Sequence, residues 1–297
     1  MQAGRSRRTV SQYRRALAEF EDAAREKRVK FLDEITEETL KYHMRTLRER
    51  GLAGKTIDTR TTVVAQFLGA NNLTPRLKAM HKPTVEEEPP TPYTKDELDA
   101  LFSAMTDAER IRCRFFLKTG CREQEVQYAS WKDIDFTHKT YTVRAKKDFG
   151  FAPKNHESRV IPLRDDLVNE LKAYQEQNGD SRWVFPSERG LPDGHMLRKL
   201  KRIALRAGLN CGHCRTTITV GEYDGKKQKE VTCKTQPVCE HFILHRFRKT
   251  CATRWESDGM RVRDIQALLG HKNLEITQKY LGVSNQEDLR KRINSGD

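Results

Sequence analysis

The sequence predicts a mainly helical protein with a small antiparallel β-sheet, an α+β fold in two domains. Three observations predict it. Apolar residues recur at helical spacing through most of the chain. A segment rich in proline and glutamate interrupts this periodicity at residues 82–94. Two short runs, residues 139–145 and 158–163, are rich in the Val, Ile, Thr and Tyr that favour strands.

The first domain is predicted over residues 1–81 as a small, basic, helical domain. Its apolar residues form three stripes at helical spacing: Val10, Tyr13, Leu17 and Phe20; Leu40, Met44 and Leu47; Ile57, Val64, Phe67 and Leu68. Thr36 is the expected N-cap of the second helix. Residues 82–93 are predicted as a linker, because proline cannot continue a helix and the three consecutive glutamates within it favour solvent.

The second domain is predicted over residues 94–297. Thr94 and Glu97 have the spacing of a capping box, so a helix is expected to begin there. The two strand-like runs follow, joined by the expected hairpin loop KKDFGFAPKNHE. From Asp165 onward the pattern is helical again, interrupted only at residues 209–243.

Charge favours a polyanionic partner, in particular nucleic acid. The chain holds 56 Lys and Arg residues against 42 Asp and Glu, a formal net charge of +14. Each phosphate that such a surface neutralises releases counterions, which favours binding. No window of about 18 consecutive apolar residues is present, so no membrane partner is expected. The N-terminus lacks an apolar signal region, so secretion by that route is not expected and a cytoplasmic location is predicted.

The interruption at residues 209–243 predicts a metal site. Its four cysteines flank an alternating run with an expected hairpin turn at Asp224-Gly225: Cys211, Cys214, Cys233 and Cys239. Four thiolates from the two ends of a hairpin can bind a tetrahedral structural Zn²⁺. The second pair is spaced more widely than C-x2-C, so His241 in place of Cys239 is the main variant, and His213 is a further candidate. A loop without metal is the remaining interpretation.

The other three cysteines have different surroundings. Cys113, Cys121 and Cys251 lie in apolar or helical contexts, and we expect them to be buried packing residues.

Two arginines, two histidines and a tyrosine suit phosphodiester chemistry. His245 and Arg248 are three residues apart and share a helix face. Arg122 follows a glycine turn at an expected helix start. His271 follows an expected glycine C-cap, and Tyr280 comes nine residues later. Guanidinium groups bind phosphate oxygens and stabilise a pentavalent transition state, and a tyrosine hydroxyl can attack phosphorus when a histidine helps remove its proton.

These residues resemble the motifs of the tyrosine recombinase family, the phage integrases and Xer-like site-specific recombinases. TGCREQEV is similar to the first box, with Arg122 and, one turn on, an acidic Glu125. HRFRKTCATRW is similar to the second, and LLGHKNLEITQKYLG to the third, with His271 and Tyr280 at the family's spacing. The family's β-hairpin lysine is best matched by Lys154 in PKNHESRVIPL; Lys146 and Lys147 are the rival assignments.

The resemblance implies a specific reaction. Tyr280 would attack the scissile phosphate of a double-stranded DNA recombination site, forming a 3′-phosphotyrosyl bond and freeing a 5′-hydroxyl that attacks a partner duplex through a Holliday junction. Arg122 and Arg248 would clamp the phosphate, while His245 and His271 would position it and handle protons. Lys154 would protonate the leaving oxygen.

The resemblance also implies an assembly. The helical core-binding domain and the catalytic domain would form a two-domain clamp around DNA, with four protomers in the active complex and an accessory protein left open. The tail SNQEDLRKRIN would dock into a neighbour. No catalytic metal or nucleotide cofactor is expected.

Three features depart from the family pattern. Lys249 stands where many members carry another histidine. The cysteine segment is inserted where the family's connection is usually short, as a zinc-ribbon-like module near the active site. TVSQYRRALAEF resembles the family's second helix, so an opening helix and an arm-type domain are expected to be absent. Two other functions stay open, a type IB topoisomerase-like enzyme and a catalytically silent DNA-binding regulator.

Overall fold

The chain divides into two units, residues 1–88 and residues 89–297, with the break inside the segment predicted as a linker. The computed structural model describes residues 7–73, 91–154, 157–178, 181–220, 227–281 and 294. Within these ranges, no helix combines the length and apolar character that crossing a membrane requires. The fold is mainly helical with small antiparallel sheets, as the sequence predicts.

The described residues of the first unit form three α-helices. They are α1 (Arg7–Glu26), α2 (Glu37–Glu49) and α3 (Gly54–Ala70). Their facing apolar residues are buried: Phe20, Leu40, Met44, Leu47, Ile57, Val64 and Leu68. These residues belong to the three predicted stripes, because helical periodicity alone decides which face of each helix can be removed from water. Thr36 is the N-cap of α2, and its backbone N–H donates to Thr39 Oγ1 at 3.4 Å.

The described residues of the second unit form the other α-helices and the strands. Its helices are α4 (Lys95–Ser103), α5 (Asp107–Thr119), α6 (Glu123–Gln127), α7 (Asp165–Asn178), α8 (Met196–Arg206), α9 (Leu244–Ser257), α10 (Val262–Leu269) and α11 (Leu274–Leu281). Its strands are β1 (Ile134–Asp135), β2 (Thr140–Val143), β3 (Arg159–Pro162), β4 (Arg215–Val220) and β5 (Lys227–Thr232). Helix α5 packs against α9 in the core, and α9 also contacts α10 and α11.

Local signals in the sequence set several of these boundaries. Thr94 Oγ1 accepts from the Glu97 backbone N–H at 3.1 Å, and Glu97 Oε2 accepts from the Thr94 N–H at 2.9 Å, which confirms the capping box. Gly120 ends α5 in the left-handed conformation, with φ of 61°. These contacts satisfy backbone groups that a helix end leaves without intrahelical partners.

Both sheets are antiparallel. In the first, β2 lies between β1 and β3, and Tyr141 of β2 pairs with Ile134 on one side and Ile161 on the other. In the second, β4 pairs with β5 from Arg215 opposite Thr232 to Val220 opposite Lys227. The predicted turn at Asp224-Gly225 lies outside the described residues.

The prediction of continuous helix between α7 and the cysteine segment is wrong for residues 181–195. This segment is irregular and pairs only through isolated bridges, Ser130 with Trp183 and Pro186 with Pro192. Both prolines lack the backbone N–H that a helix interior needs. Three consecutive apolar residues here, Trp183, Val184 and Phe185, are buried without helical periodicity, whereas Leu191 is exposed.

Candidate active site

Arg122 lies where the sequence predicts it, at the N-cap of α6 directly after the turn that ends α5. Its backbone N–H donates to Glu125 Oε2 at 2.8 Å, and its Nη1 donates to Glu125 Oε1 at 3.0 Å. Its Nη2 donates to the carbonyl oxygen of Gly270 at 3.2 Å. The guanidinium is thereby held between α6 and the end of α10.

Glu125 is a buried carboxylate that two arginines share. Burial alone would raise its pKa, but the hydrogen bonds and charge of Arg159, with those of Arg122, lower the pKa to about 2. Glu125 therefore stays ionised and anchors both guanidinium groups.

His245 and Arg248 lie one turn apart on α9, as the spacing predicts. Arg248 is wholly buried, with 0% of its surface exposed. It donates from Nη1 to the carbonyl oxygen of Gly120 and from Nη2 to that of Leu269, each at 2.6 Å. Its Nη2 is also 2.9 Å from His271 Nε2. Arg248 thus connects the turns that end α5 and α10.

His271 follows the left-handed Gly270 that ends α10, which confirms the predicted C-cap. Since the Arg248 guanidinium is a donor only, His271 Nε2 must accept, so the proton of the neutral ring lies on Nδ1. That nitrogen is 3.0 Å from Thr277 Oγ1 on α11. Burial, and then the charges of Arg248 and Arg122, lower the pKa of His271 to about 3.

His245 is exposed at the surface, yet its pKa is also lowered. The protein atoms around the ring exclude enough water that burial is the largest cause, followed by the charges of Arg248, Arg122 and Lys154, and the pKa falls to about 4. Both imidazoles are therefore neutral at physiological pH in the DNA-free protein.

We expect neither His245 nor His271 to titrate between pH 8 and pH 5.5 in the DNA-free protein. A histidine with a folded pKa below its unfolded value, about 6.5, contributes stability above pH 6.5 that is lost as pH falls toward the folded pKa. The pH dependence of the ring-carbon NMR shifts, assigned with His245→Gln and His271→Gln, measures the protonation of each ring directly. Urea-unfolded protein is the control. A midpoint near 6.5 for either folded ring would contradict the expectation.

A cleft of about 390 Å³ is lined by the predicted lysine and by two of the side chains described above, Arg122 and His271. Its lining includes Arg122, Lys154, Arg159 and His271. A smaller hollow of about 160 Å³ is lined by Arg122 and His245, among others. Arg122 therefore borders both spaces.

The rival lysines have other surroundings. Lys146 is buried, and its Nζ lies 2.7 and 2.5 Å from the two carboxylate oxygens of Asp133. Lys147 begins a short 3₁₀ turn, Lys147–Phe149. Neither residue lines the cleft that contains Lys154.

Tyr280 belongs to α11, the helix that follows His271. Its side chain lies outside the described part of the chain, as does the segment 282–293 that contains most of the predicted docking tail.

Sequence reasoning missed Arg159 and Thr277. Arg159 binds Glu125 with two nitrogens, Nη1 to Oε1 at 2.9 Å and Nη2 to Oε2 at 2.6 Å. The only signal in the sequence was an arginine at the start of a short, otherwise apolar strand. Nothing local indicates that its partner is 34 residues away.

The four cysteines of the inserted segment meet in one cluster. All four Sγ atoms lie within 4.8 Å of one another; Cys211 Sγ is 3.2 Å from that of Cys214 and 3.8 Å from that of Cys233. Sulfur ligands about 2.3 Å from a tetrahedral zinc would lie about 3.8 Å apart, so the donor set fits a metal ion. Among the ranges that the structure describes, this is the one group of ligand-type side chains close enough to bind a metal.

The two histidines proposed as variants do not belong to this cluster. His241 Nε2 is instead 2.7 Å from Glu97 Oε1, and Glu97 also pairs with Arg246 of α9 at 2.8 Å. The remaining cysteines, Cys113, Cys121 and Cys251, are buried, as predicted.

Comparison with known families shows to which protein family this chain belongs. The model of the phage integrase family matches residues 93–287, well over half of the chain. The chain belongs to the phage integrase family. The SAM-like N-terminal domain of phage integrases also matches, over residues 1–70.

Curated relatives of this integrase-family chain are recombinases. Tyrosine recombinase XerC of Oceanobacillus iheyensis is 24% identical, with the match covering 93% of this chain and 86% of the relative. Tyrosine recombinase XerC of Chlamydia muridarum is 27% identical over 85% of this chain and 71% of the relative. The protein is accordingly a tyrosine site-specific recombinase, and the topoisomerase and silent-regulator interpretations are not favoured.

Solved structures share the fold. The Tn1549 transposon integrase in complex with transposon right end DNA gives a TM-score of 0.70 at 17% identity, covering 99% of this chain and 95% of that one. A lambda integrase dimer bound to a core site gives 0.66 at 16% identity, covering 95% and 90%.

Proposed function

We propose that this recombinase cuts and rejoins duplex DNA at a specific site through Tyr280. The tyrosine oxygen bonds to the scissile phosphorus, the bond to the 5′-oxygen breaks, and a 3′-phosphotyrosyl link and a free 5′-hydroxyl result. That hydroxyl then attacks the phosphotyrosyl bond of a partner duplex and forms a Holliday junction. The observation that carries the proposal is that Arg122, Lys154 and His271 line one cleft. Arg122 also lines a neighbouring hollow together with His245.

Each group has a chemical role in this scheme. Arg122 binds a non-bridging oxygen and stabilises the negative charge of the pentavalent transition state. His245, neutral before DNA binds, is able to accept a proton from the tyrosine hydroxyl. The acceptor nitrogen of His271 is occupied by Arg248, so His271 can accept that proton only after this contact breaks. Lys154 protonates the 5′-oxygen. Its place in the cleft supports this assignment, whereas the ion pair with Asp133 disfavours Lys146.

Arg248 does not line the cleft but contacts His271, which does. Because its guanidinium has no exposed surface, direct contact with the phosphate requires the groups above it to move when DNA binds. Without that motion, Arg248 still supplies positive charge near the site and keeps His271 Nε2 unprotonated.

The proposal extends to domains and assembly. Residues 1–81 form the core-binding domain, residues 82–93 the linker and residues 94–297 the catalytic domain. The DNA complexes among the structural neighbours and the net charge of +14 support a duplex DNA site as the partner. We propose a homotetramer on DNA, located in the cytoplasm.

Covalent trapping tests the function. Purified protein is incubated with a pool of nicked duplexes that includes the DNA flanking its own gene, and denaturing gels are examined for a protein–DNA adduct. We expect an adduct whose DNA-linked peptide, identified by mass spectrometry after nuclease digestion, contains Tyr280. Binding to the native flank without any adduct would contradict the enzymatic proposal.

We further propose that Cys211, Cys214, Cys233 and Cys239 hold a structural Zn²⁺. The close approach of the four sulfur atoms supports this set, and the contact of His241 with Glu97 favours Cys239 over the histidine. Bound zinc would tie the end of α8 to the start of α9 through the β4–β5 hairpin, because the ligands come from both ends of that hairpin.

Metal analysis tests this site. We expect about one zinc ion per chain, and Cys233→Ala to lose it, since three ligands no longer close a tetrahedral site. Amide exchange in β4 and β5 is expected to accelerate in the variant. Cys113→Ala, which removes a buried thiol elsewhere, is the control and should keep its metal. Full zinc content in Cys233→Ala would refute the ligand set.

A further inference from the structure

We propose that Arg159 is a positioning residue for strand cleavage, holding Arg122 in the cleft through Glu125 and through the turn at Gly270. The proposal rests on the recombinase function proposed above. The residues that the family motifs mark do not include Arg159, and its role follows only from the contacts it makes.

The first link runs through Glu125. Arg159 binds this carboxylate with two nitrogens, at 2.9 and 2.6 Å, and Glu125 in turn accepts from Arg122 Nη1 at 3.0 Å. The carboxylate is only 2% exposed, so water competes little for these contacts. A bidentate arginine fixes both the position and the plane of a carboxylate. The orientation of Glu125, and with it that of Arg122, is therefore set by Arg159.

The second link runs through the end of α10. Arg159 Nε donates to the carbonyl oxygen of Leu268 at 2.8 Å. A Cβ added at Gly270 would lie 3.3 Å from Arg159 Cδ and Nη1, so the arginine stem packs directly against that glycine. The Gly270 carbonyl accepts from Arg122 Nη2 at 3.2 Å. Both acceptors that hold the Arg122 guanidinium thus lie against Arg159.

The geometry favours orientation over a direct hold on DNA. Each of the three guanidinium nitrogens of Arg159 already donates to a protein acceptor. The side chain is 11% exposed, against 24% for Arg122. Lysine at this position would keep the charge beside Glu125, but a single ammonium cannot reproduce a planar fork with a third donor at Nε. Arg159→Lys is therefore expected to loosen Arg122 without leaving a buried carboxylate unpaired.

The test compares two scissile groups in single-turnover cleavage with protein in excess. On an ordinary phosphate, we expect Arg159→Lys to cleave about 100-fold more slowly than wild type, since a misplacement of 1 Å costs roughly this much. On a methylphosphonate, one non-bridging oxygen and its charge are gone, so a badly placed Arg122 matters less. There we expect a loss of less than about tenfold. DNA affinity should change little, and Arg164→Lys, an exposed arginine just after β3, should match wild type on both substrates.

A double-mutant cycle gives an independent measurement on phosphate DNA. If Arg159 acts in part through Glu125, Arg159→Lys should cost less in a Glu125→Gln background than in wild type. Equal losses on the two substrates together with additive effects in the cycle would overturn the proposal, as would an Arg159→Lys rate equal to wild type. Failure of the function itself looks different, because then wild type forms no adduct on any substrate.

Discussion

Tyr280→Phe is expected to abolish the covalent protein–DNA adduct and all recombination while DNA binding persists. The substitution removes one oxygen, the atom that would bond to phosphorus, and phenylalanine has no other nucleophile. The residues proposed to bind the phosphate, at the start of α6, on α9 and after the end of α10, are unchanged. Affinity for a duplex site, measured by fluorescence anisotropy, is therefore expected to remain within about threefold of wild type, because phosphate contacts dominate affinity.

The matched control is Tyr174→Phe. Tyr174 lies on α7, where its ring packs near Trp131 and Phe185, so the same loss of one oxygen occurs within the same unit. This variant should form wild-type amounts of adduct. An adduct with Tyr280→Phe would show that another residue is the nucleophile, and peptide mapping of that adduct would identify it.

Arg248→Ala is expected to combine a loss of activity with a loss of stability. Removing a donor that stabilises transition-state charge costs about 10²- to 10³-fold in rate, and loss of the His271 contact adds to this, so we expect single-turnover cleavage about 10³-fold slower. The carbonyl oxygens of Gly120 and Leu269 lose their donors in a buried region. With the cavity that remains, the free energy of unfolding should fall by about 3 kcal/mol.

Urea unfolding measures the loss of stability. Cleavage measured at a temperature where the variant is still folded gives the loss of activity separately. Arg254→Ala is the control, because it makes the same change on the exposed face of the same helix, α9. Arg254→Ala should cleave at nearly the wild-type rate and lose little stability. A folded Arg248→Ala protein that cleaves at a wild-type rate would remove Arg248 from the site.

Local sequence signals were sufficient for most of the helices. The stripes through Phe20, Leu40 and Val64 predicted the buried faces of the first unit, since a helix presents one face to a core whatever else the chain does. The Thr94–Glu97 capping box and the Gly270 C-cap depend on contacts within a few residues, and both are present. The segment 181–195 was missed because its burial follows neither helical nor strand periodicity.

Site residues divide in a similar way. Arg122, His245, Arg248, His271 and Tyr280 were predicted from motifs, and the four cysteines from their spacing around a hairpin. The structure adds a reason to choose Lys154 over Lys146, since the latter is paired with Asp133. It also changes the view of Arg248, which the sequence predicts as a phosphate clamp and which lies fully buried in the DNA-free protein.

The sequence by itself determined the helical periodicity and the caps, because both depend on neighbours within a few positions. The cysteine spacing and the order of the motif residues are likewise properties of the chain that need no fold. Only the tertiary structure decided three hydrogen bonds between distant parts of the chain. Arg159 donates to Glu125, 34 residues away in sequence. Arg122 donates to Gly270 over 148 residues, and Arg248 donates to Gly120 over 128 residues. These contacts depend on how α5, α9, α10 and β3 pack together. A guanidinium group on an isolated segment has no preferred partner until that packing removes water and brings one acceptor within hydrogen-bonding distance.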